Sequence, residues 1–314
     1  MAAAPTLPQL SFSLPTFSAE DPGGWGHLRD RARIADEAGI DRVVVSDHVA
    51  FGENLEAYGD PSVGGSVGGK QPTGPDGHWL DPLTALTWVA GFTDNVRLGT
   101  NILIAALRRP VVLAKELATL DVLSGGRVDL GIGVGWQKEE YDAAGLDFDG
   151  RGKLLDHTVE VCQTLWREPR AALHDDFLDF EAIHQMPKPL QPGGVPIWVS
   201  GTFNPRVIRR LSAYGSAWIP WGPAAADLAT SIPQVKQAMA DAGRTDTDSL
   251  QVVGYLPMAY DGDVIDLDAT LAATKPLVDA GVTDFRSSFR FTGEYGADLE
   301  LVSGVVEGFR KAFR

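Results

Sequence analysis

The chain has 314 residues, 44% of them apolar and 22% charged, and a net charge of −15. A surface of that sign repels duplex nucleic acid and anionic membranes, so neither is an expected partner. The single cysteine, Cys162, excludes an intrachain disulfide and a thiolate metal site.

The length suits one (β/α)8 barrel of roughly 250 residues plus insertions. The opening MAAAPTLPQLSFSLP has no basic region and no long apolar run, so neither a signal peptide nor a membrane anchor is expected. No other segment approaches the roughly 18 consecutive apolar residues of a membrane helix. The expected compartment is the cytosol.

A first strand is expected over 10–14, then an amphipathic helix over 25–38 that Gly39 closes as a C-cap. The stretch VVVSDHVAFG follows. Its β-branched residues make a buried strand over 41–46, and Ser46, Asp47 and His48 stand at its end. Residues 51–78 include GDPSVGGSVGGKQPTGPDGH, which reads as a long loop rather than strand or helix. Because it leaves from the Asp47–His48 end of a strand, it is read as a lid over a site. Asp81 and Pro82 then form a helix start, with Asp as cap and Pro at the first helical position.

That helix is expected to reach Phe92. A strand over 96–104 follows, then a helix over 110–124, and a strand over 127–132 leading into Gly133-Val134-Gly135-Trp136. A helix over 154–166 carries Cys162 on an apolar pattern, which reads as a buried structural thiol. Residues 168–194 interrupt the rhythm with a short hairpin and a proline-rich connection. Four more strands are expected over 196–199, 216–219, 250–259 and 283–289. Their helices are expected over 205–214, 224–242, 267–280 and 299–313. Eight strands alternating with helices imply a parallel α/β sheet. With no split into two composition zones, one (β/α)8 TIM barrel over 1–314 is expected, with insertions at about 51–80 and 168–194.

In such a barrel the site is at the C-terminal strand ends. These offer Asp47, His48, Asn101, Gly133, Gly135, Trp136, Ser200, Gly201, Thr202, Trp221, Gly222 and Arg290. GIGVGW lacks the third glycine of a dinucleotide fingerprint, and no Walker loop is present. The six histidines form no HExxH or HxH pattern, so no metal is expected, and no GxSxG elbow offers a serine nucleophile.

Taken together, VVVSDHV, the block from DPLTALTWVAGF to GIGVGW, and VPIWVSG resemble the bacterial luciferase-like family of flavin and deazaflavin oxidoreductases. The resemblance implies a (β/α)8 barrel holding reduced FMN or the deazaflavin coenzyme F420 at its mouth. It implies a non-prolyl cis peptide at Asn101–Ile102, behind the ring. Ser46-Asp47-His48 is similar to the deazaflavin branch, in which the matching Asp and His contact the ring. Val112 stands where flavin-dependent luciferases place a phosphate-binding arginine. F420 is therefore the expected cofactor, with FMN as the alternative.

On that resemblance Asp47 and His48 are the catalytic candidates, since an imidazole titrates near neutral pH and hydride transfer must be matched by a proton. Gly133 and Gly135 would let backbone approach the ring. Ser200, Gly201 and Thr202 precede a helix whose N-terminus, with Arg206, would receive the cofactor phosphate. The alternative for Ser200 and Thr202 is plain N-capping. Trp79, Trp136, Trp221 and Phe289 are candidate walls of a substrate pocket, Asn101, Ile102 and Trp136 are candidate cofactor contacts, Trp136 by stacking on a ring, and Lys115 and Arg127 serve structure. Sugar-phosphate dehydrogenases of this branch carry an acidic residue at the position of Trp136, so glucose 6-phosphate is not the expected substrate. A small-molecule substrate and a homodimer are expected. A flavin reductase partner belongs only to the FMN reading, that of a monooxygenase.

Overall fold

The computed structural model describes residues 7–313; the first six residues of the N-terminal stretch read above lie outside them. Eight strands close into one barrel: β1 (Gln9–Ser13), β2 (Arg42–Val45), β3 (Arg97–Thr100), β4 (Val128–Ile132), β5 (Ile197–Gly201), β6 (Gly215–Pro220), β7 (Gln251–Tyr255) and β8 (Asp284–Ser287). Each pairs in parallel with its sequence neighbours, and β1 closes on β8 with Leu10 opposite Phe285. The (β/α)8 barrel expected from the alternation of patterns is the fold observed.

The outer helices are α1 (Gly26–Ala38), α2 (Pro82–Ala90), α3 (Pro110–Leu123), α4 (Arg151–Arg167), α5 (Pro205–Ala213), α6 (Leu228–Asp241), α7 (Leu267–Ala280) and α8 (Tyr295–Ala312). Their starts follow the capping chemistry. Asp81 Oδ1 accepts from Thr84 N at 2.8 Å with Pro82 behind it, and Gly39 closes α1 in the left-handed region. Cys162 is buried on α4, and burial pushes its thiol up. Lys115 and Arg127 are spent on backbone carbonyls, Arg127 on those of Ser124, Val96 and Thr93.

Several boundaries differ from expectation. The third strand ends at Thr100, the Asn101–Ile102 bond beyond it is cis, and Leu103 alone rejoins the sheet, bridging to Ile132. The expected helix over 224–242 is two helices, since Asp227 leaves helical geometry and caps α6 through Thr230 N. The seventh strand stops at Tyr255, and a small hairpin, Tyr260–Asp261 with Val264–Ile265, follows. The stretch 51–78 holds two 3-10 turns, Leu55–Gly59 and Pro61–Val63, where neither was expected. Its last residue begins a two-residue strand, His78–Trp79, that pairs with Phe17–Ser18. The hairpin expected after α4 forms from Ala171–His174 and Asp179–Ile183.

Inside the barrel the fill is partly ionic. Arg42 bonds Asp129 at 2.7 Å and also pairs with Asp284, while Arg97 makes two 2.7 Å bonds to Asp129. Burial alone would raise the Asp129 carboxyl, but Arg42 and Arg97 outweigh it and hold the group below its ordinary value. Trp198 packs against this layer, with the Arg42 guanidinium 4.1 Å from its ring. No helix among the described residues is long and apolar enough to cross a membrane.

Candidate active site

A cavity of about 740 Å³ opens at the C-terminal ends of the strands, under the stretch that follows β2. Its walls include Asp47, His48, Asn101, Ile102, Gly133, Gly135 and Trp136. On the far side they include Ser200, Gly201, Thr202, Arg206 and Trp221, and Trp79 closes it from above. Residues more than 170 positions apart in sequence thus meet because each ends a strand or begins the helix after it.

The floor is apolar. Ile102, Ile219 and Val253 pack together above Trp198. The Asn101–Ile102 bond is cis, as the resemblance implied, and Ile102 is presented towards Gly133. A Cβ on Gly133 would come within 2.8 Å of the Ile102 side chain. Gly135 sits at φ 69°, a conformation that side chains resist.

Asp47 is buried and fully engaged. Its carboxylate accepts from Ile104 N at 2.8 Å and from Arg108 at 2.6 and 3.0 Å. Burial alone would lower the Arg108 guanidinium, but Asp47 and Asp81 outweigh it and hold it above its ordinary value. With both oxygens taken, Asp47 fixes the backbone just past the cis bond.

His48 is differently placed. Its side chain is 8% exposed and its ring packs against Phe51, Trp79 and Trp136, with centroids at 4.4, 4.9 and 5.7 Å. Nδ1 faces Glu140 Oε2 at 3.4 Å, and neither atom has a closer hydrogen-bond partner. The other Glu140 oxygen accepts from Val49 N at 2.5 Å and from Ala50 N at 3.4 Å. Glu140 therefore ties down the backbone just after His48 while facing its ring.

Sequence reasoning missed Glu140. It stands on a short helix, Lys138–Ala143, inside a run of charges that reads as a solvated face. Asn204 was missed as well, although Asn-Pro is a legible helix start. Its Oδ1 accepts from Arg206 N and Val207 N, both at 3.0 Å. Ser200 and Thr202 are therefore not the caps of α5, and they remain available to the cavity they line. Arg151 was also missed. It opens α4, lines the same end of the cavity as Arg206, donates to Val63 O at 3.0 Å, and leaves Nε buried without a partner. Its guanidinium is lowered by burial, and Arg206 adds to that.

Of the expected aromatic walls, Trp79, Trp136 and Trp221 line the cavity. Trp221 Nε1 donates to Gly64 O and Gly65 O at 3.1 and 3.2 Å, and so latches the stretch after β2 across the mouth. Phe289 does not line it. Its ring is wedged between Phe12 and Phe291 at 5.6 and 6.0 Å, in the core behind β1 and β8. Arg290 likewise turns away, onto Tyr260. Among the described residues no cluster of three His, Cys, Asp or Glu side chains could hold a metal ion.

The profile of the luciferase-like monooxygenase family matches residues 9–274. The chain belongs to the luciferase-like monooxygenase family. Among its relatives, an uncharacterized protein of Mycobacterium tuberculosis is 27% identical over 277 residues, spanning 86% of this chain and 87% of the relative. An F420-dependent glucose-6-phosphate dehydrogenase of Kineococcus radiotolerans is 31% identical over 227 residues, spanning 70% of this chain and 60% of the relative. The fold is shared with an F420-dependent secondary alcohol dehydrogenase in complex with an F420-acetone adduct. That likeness has a TM-score of 0.71 at 17% identity and covers 97% of this chain and all of the other, 100%. Membership of the luciferase-like family makes the protein an oxidoreductase.

Proposed function

We propose that the protein is an F420-dependent oxidoreductase that transfers a hydride between the deazaflavin and a small organic substrate. One observation carries this reading. The cavity has an apolar, glycine-edged floor with His48 on its wall, and two guanidiniums, Arg206 at the start of α5 and Arg151 at the start of α4, on its far side. A flat ring with a polar, anionic tail has that polarity. The donor set fits: Gly133 lets the Ile102 side chain pack where a Cβ would clash, Arg151 Nε is buried without a partner, and the exposed Arg206 guanidinium stands in the first turn of α5, whose Arg206 and Val207 N–H groups Asn204 already caps.

In this reading Ile102 and Gly133 support the ring, and Thr202, Arg206 and Arg151 hold the phosphate. Bound there, the deazaflavin supplies a hydride donor or acceptor. Asp47 is a positioning residue through Ile104 and Arg108. His48, not fully hydrogen-bonded and at the cavity wall, moves the proton that accompanies the hydride. The relative's sugar phosphate does not carry over, because Trp136 stands where the sugar-phosphate dehydrogenases carry an acid. A homodimer in the cytosol belongs to the same proposal.

The second reading, an FMN-dependent monooxygenase fed by a flavin reductase, takes its support from the family's description. Titration separates the two. The protein is expected to bind F420 with a perturbed absorbance spectrum and to consume no oxygen with the reduced coenzyme. Tight FMN binding with oxygen uptake would reverse the assignment. Arg206 is exposed and makes no ion pair among the described residues. Arg206→Gln is therefore expected to weaken coenzyme binding about tenfold, less in high salt, as for a charge-assisted bond at a partly wet site. Unchanged affinity would move the phosphate elsewhere.

A further inference from the structure

An arc of aromatic rings runs through the cavity. Phe17 stacks on Trp79 at 4.3 Å, and Trp79 meets His48 at 4.9 Å. His48 meets Trp136 at 5.7 Å, Trp136 meets Tyr58 at 5.4 Å, and Tyr58 meets Trp221 at 6.1 Å. All six line the cavity, and His48 is part of the arc. Apolar ring faces of this kind bind flat apolar molecules at low entropic cost.

Arg151 donates to Val63 O and Trp221 Nε1 to the carbonyls of the next two residues, so the charged groups of the cavity border the Trp221 end of the arc. Asp149 and Arg151 stand at the α4 start and Arg206 at the α5 start, Arg210 reaches from the last turn of α5 to Gly152 O, and Asp47 is consumed by Arg108. Away from the Trp221 end the arc presents aromatic faces, and a charged ligand lying on them would lose its hydration without a counter-ion in return.

Two buried donors remain over. The arc has three indoles. Trp79 Nε1 donates to Thr73 Oγ1 at 3.0 Å and Trp221 Nε1 to the Gly64 and Gly65 carbonyls. Trp136 is 6% exposed and its Nε1 has no partner. Gln71, from the stretch after β2, lines the same cavity and leaves Nε2 buried without a partner. Both are N–H groups, so what satisfies them is an acceptor.

We infer that the arc is a binding site for a neutral, flat ring compound carrying a carbonyl oxygen, which accepts from the Trp136 indole N–H with the Gln71 amide as second donor. This rests on the proposed function only for calling the ligand a substrate; the binding itself does not need it.

The test uses calorimetry on the protein saturated with whichever coenzyme the titration selects, and on the protein alone if it selects neither. The probes are 2-cyclohexen-1-one, cyclohexene, which lacks the oxygen, and glucose 6-phosphate, which is charged. Cyclohexenone is expected to bind at least about tenfold tighter than either of the others. Trp136→Phe keeps the ring and removes the donor. It is expected to weaken cyclohexenone about tenfold and leave cyclohexene unchanged. Gln71→Met is expected to act in the same direction. Cyclohexene binding as well as cyclohexenone, or glucose 6-phosphate binding best, would overturn the inference even if both variants failed to fold. Trp136→Phe and Gln71→Met both leaving cyclohexenone affinity intact would overturn it too. A coenzyme that fails to bind, with the probe ranking intact, would sink the proposed function alone.

Discussion

Replacing His48 with Ala is expected to lower turnover by about 10²- to 10⁴-fold, the usual contribution of a positioned general acid or base. Coenzyme affinity should change by less than about threefold, since the phosphate end of the cavity is untouched. The two candidates at the end of β2 differ in what their side chains hold. Asp47 already accepts three N–H bonds, two of them from Arg108, so its carboxylate is committed to holding that guanidinium and the Ile104 backbone. His48 Nδ1 has only Glu140 Oε2 near it, at 3.4 Å, and its ring stands in the cavity wall. The ring also fills space between Phe51, Trp79 and Trp136, so loss of packing is the rival explanation. His48→Phe restores the volume without the nitrogens. Steady-state turnover that stays low in His48→Phe supports the proton role; recovery there would assign His48 to packing and leave the proton without a carrier.

The parts of this protein that were legible in its sequence are those with a local physical signature. The helix starts at Pro82 and Pro205, the αL cap at Gly39 and the alternation of patterns each follow from short-range chemistry, and together they give the barrel. The strand-end rule then brought most of the cavity into view before any contact was known. What escaped depends on distant packing. Phe289 follows a strand as Trp221 does, yet the barrel turns it onto Phe12, which is 277 positions away, and away from the cavity. Glu140 and Arg151 sit in ordinary polar runs, and only the closure of the chain after β2 over the mouth sets one against His48 and the other against the Val63 carbonyl. The short strand at His78–Trp79 was hidden for the same reason, since its partner at Phe17–Ser18 lies 60 positions earlier.

The barrel interior is where a single substitution should cost most stability. Asp284 is fully buried. It accepts from Ser11 Oγ at 2.6 and 2.7 Å, pairs with Arg42, and has Arg286 Nε at 3.5 Å. Arg286 is itself buried, none of its nitrogens has a hydrogen-bond partner, and burial pushes its guanidinium down. Asp284 is thus the nearest negative charge offsetting two buried guanidiniums, because Asp129 is already divided between Arg42 and Arg97. Asp284→Ala would leave Arg286 as an uncompensated buried charge and Arg42 with half of its partners. Breaking a buried pair from one side costs about 3–5 kcal/mol, more than building the pair gained, because the remaining charge stays desolvated. Chemical denaturation of Asp284→Ala should show a loss of that size, with the coenzyme site intact in the protein that remains folded. Asp284→Asn keeps the shape and the Ser11 contact and removes only the charge. If it is as stable as the wild type, the layer is held by its hydrogen-bond geometry and not by charge balance, and the reading of the barrel interior as an ionic core fails.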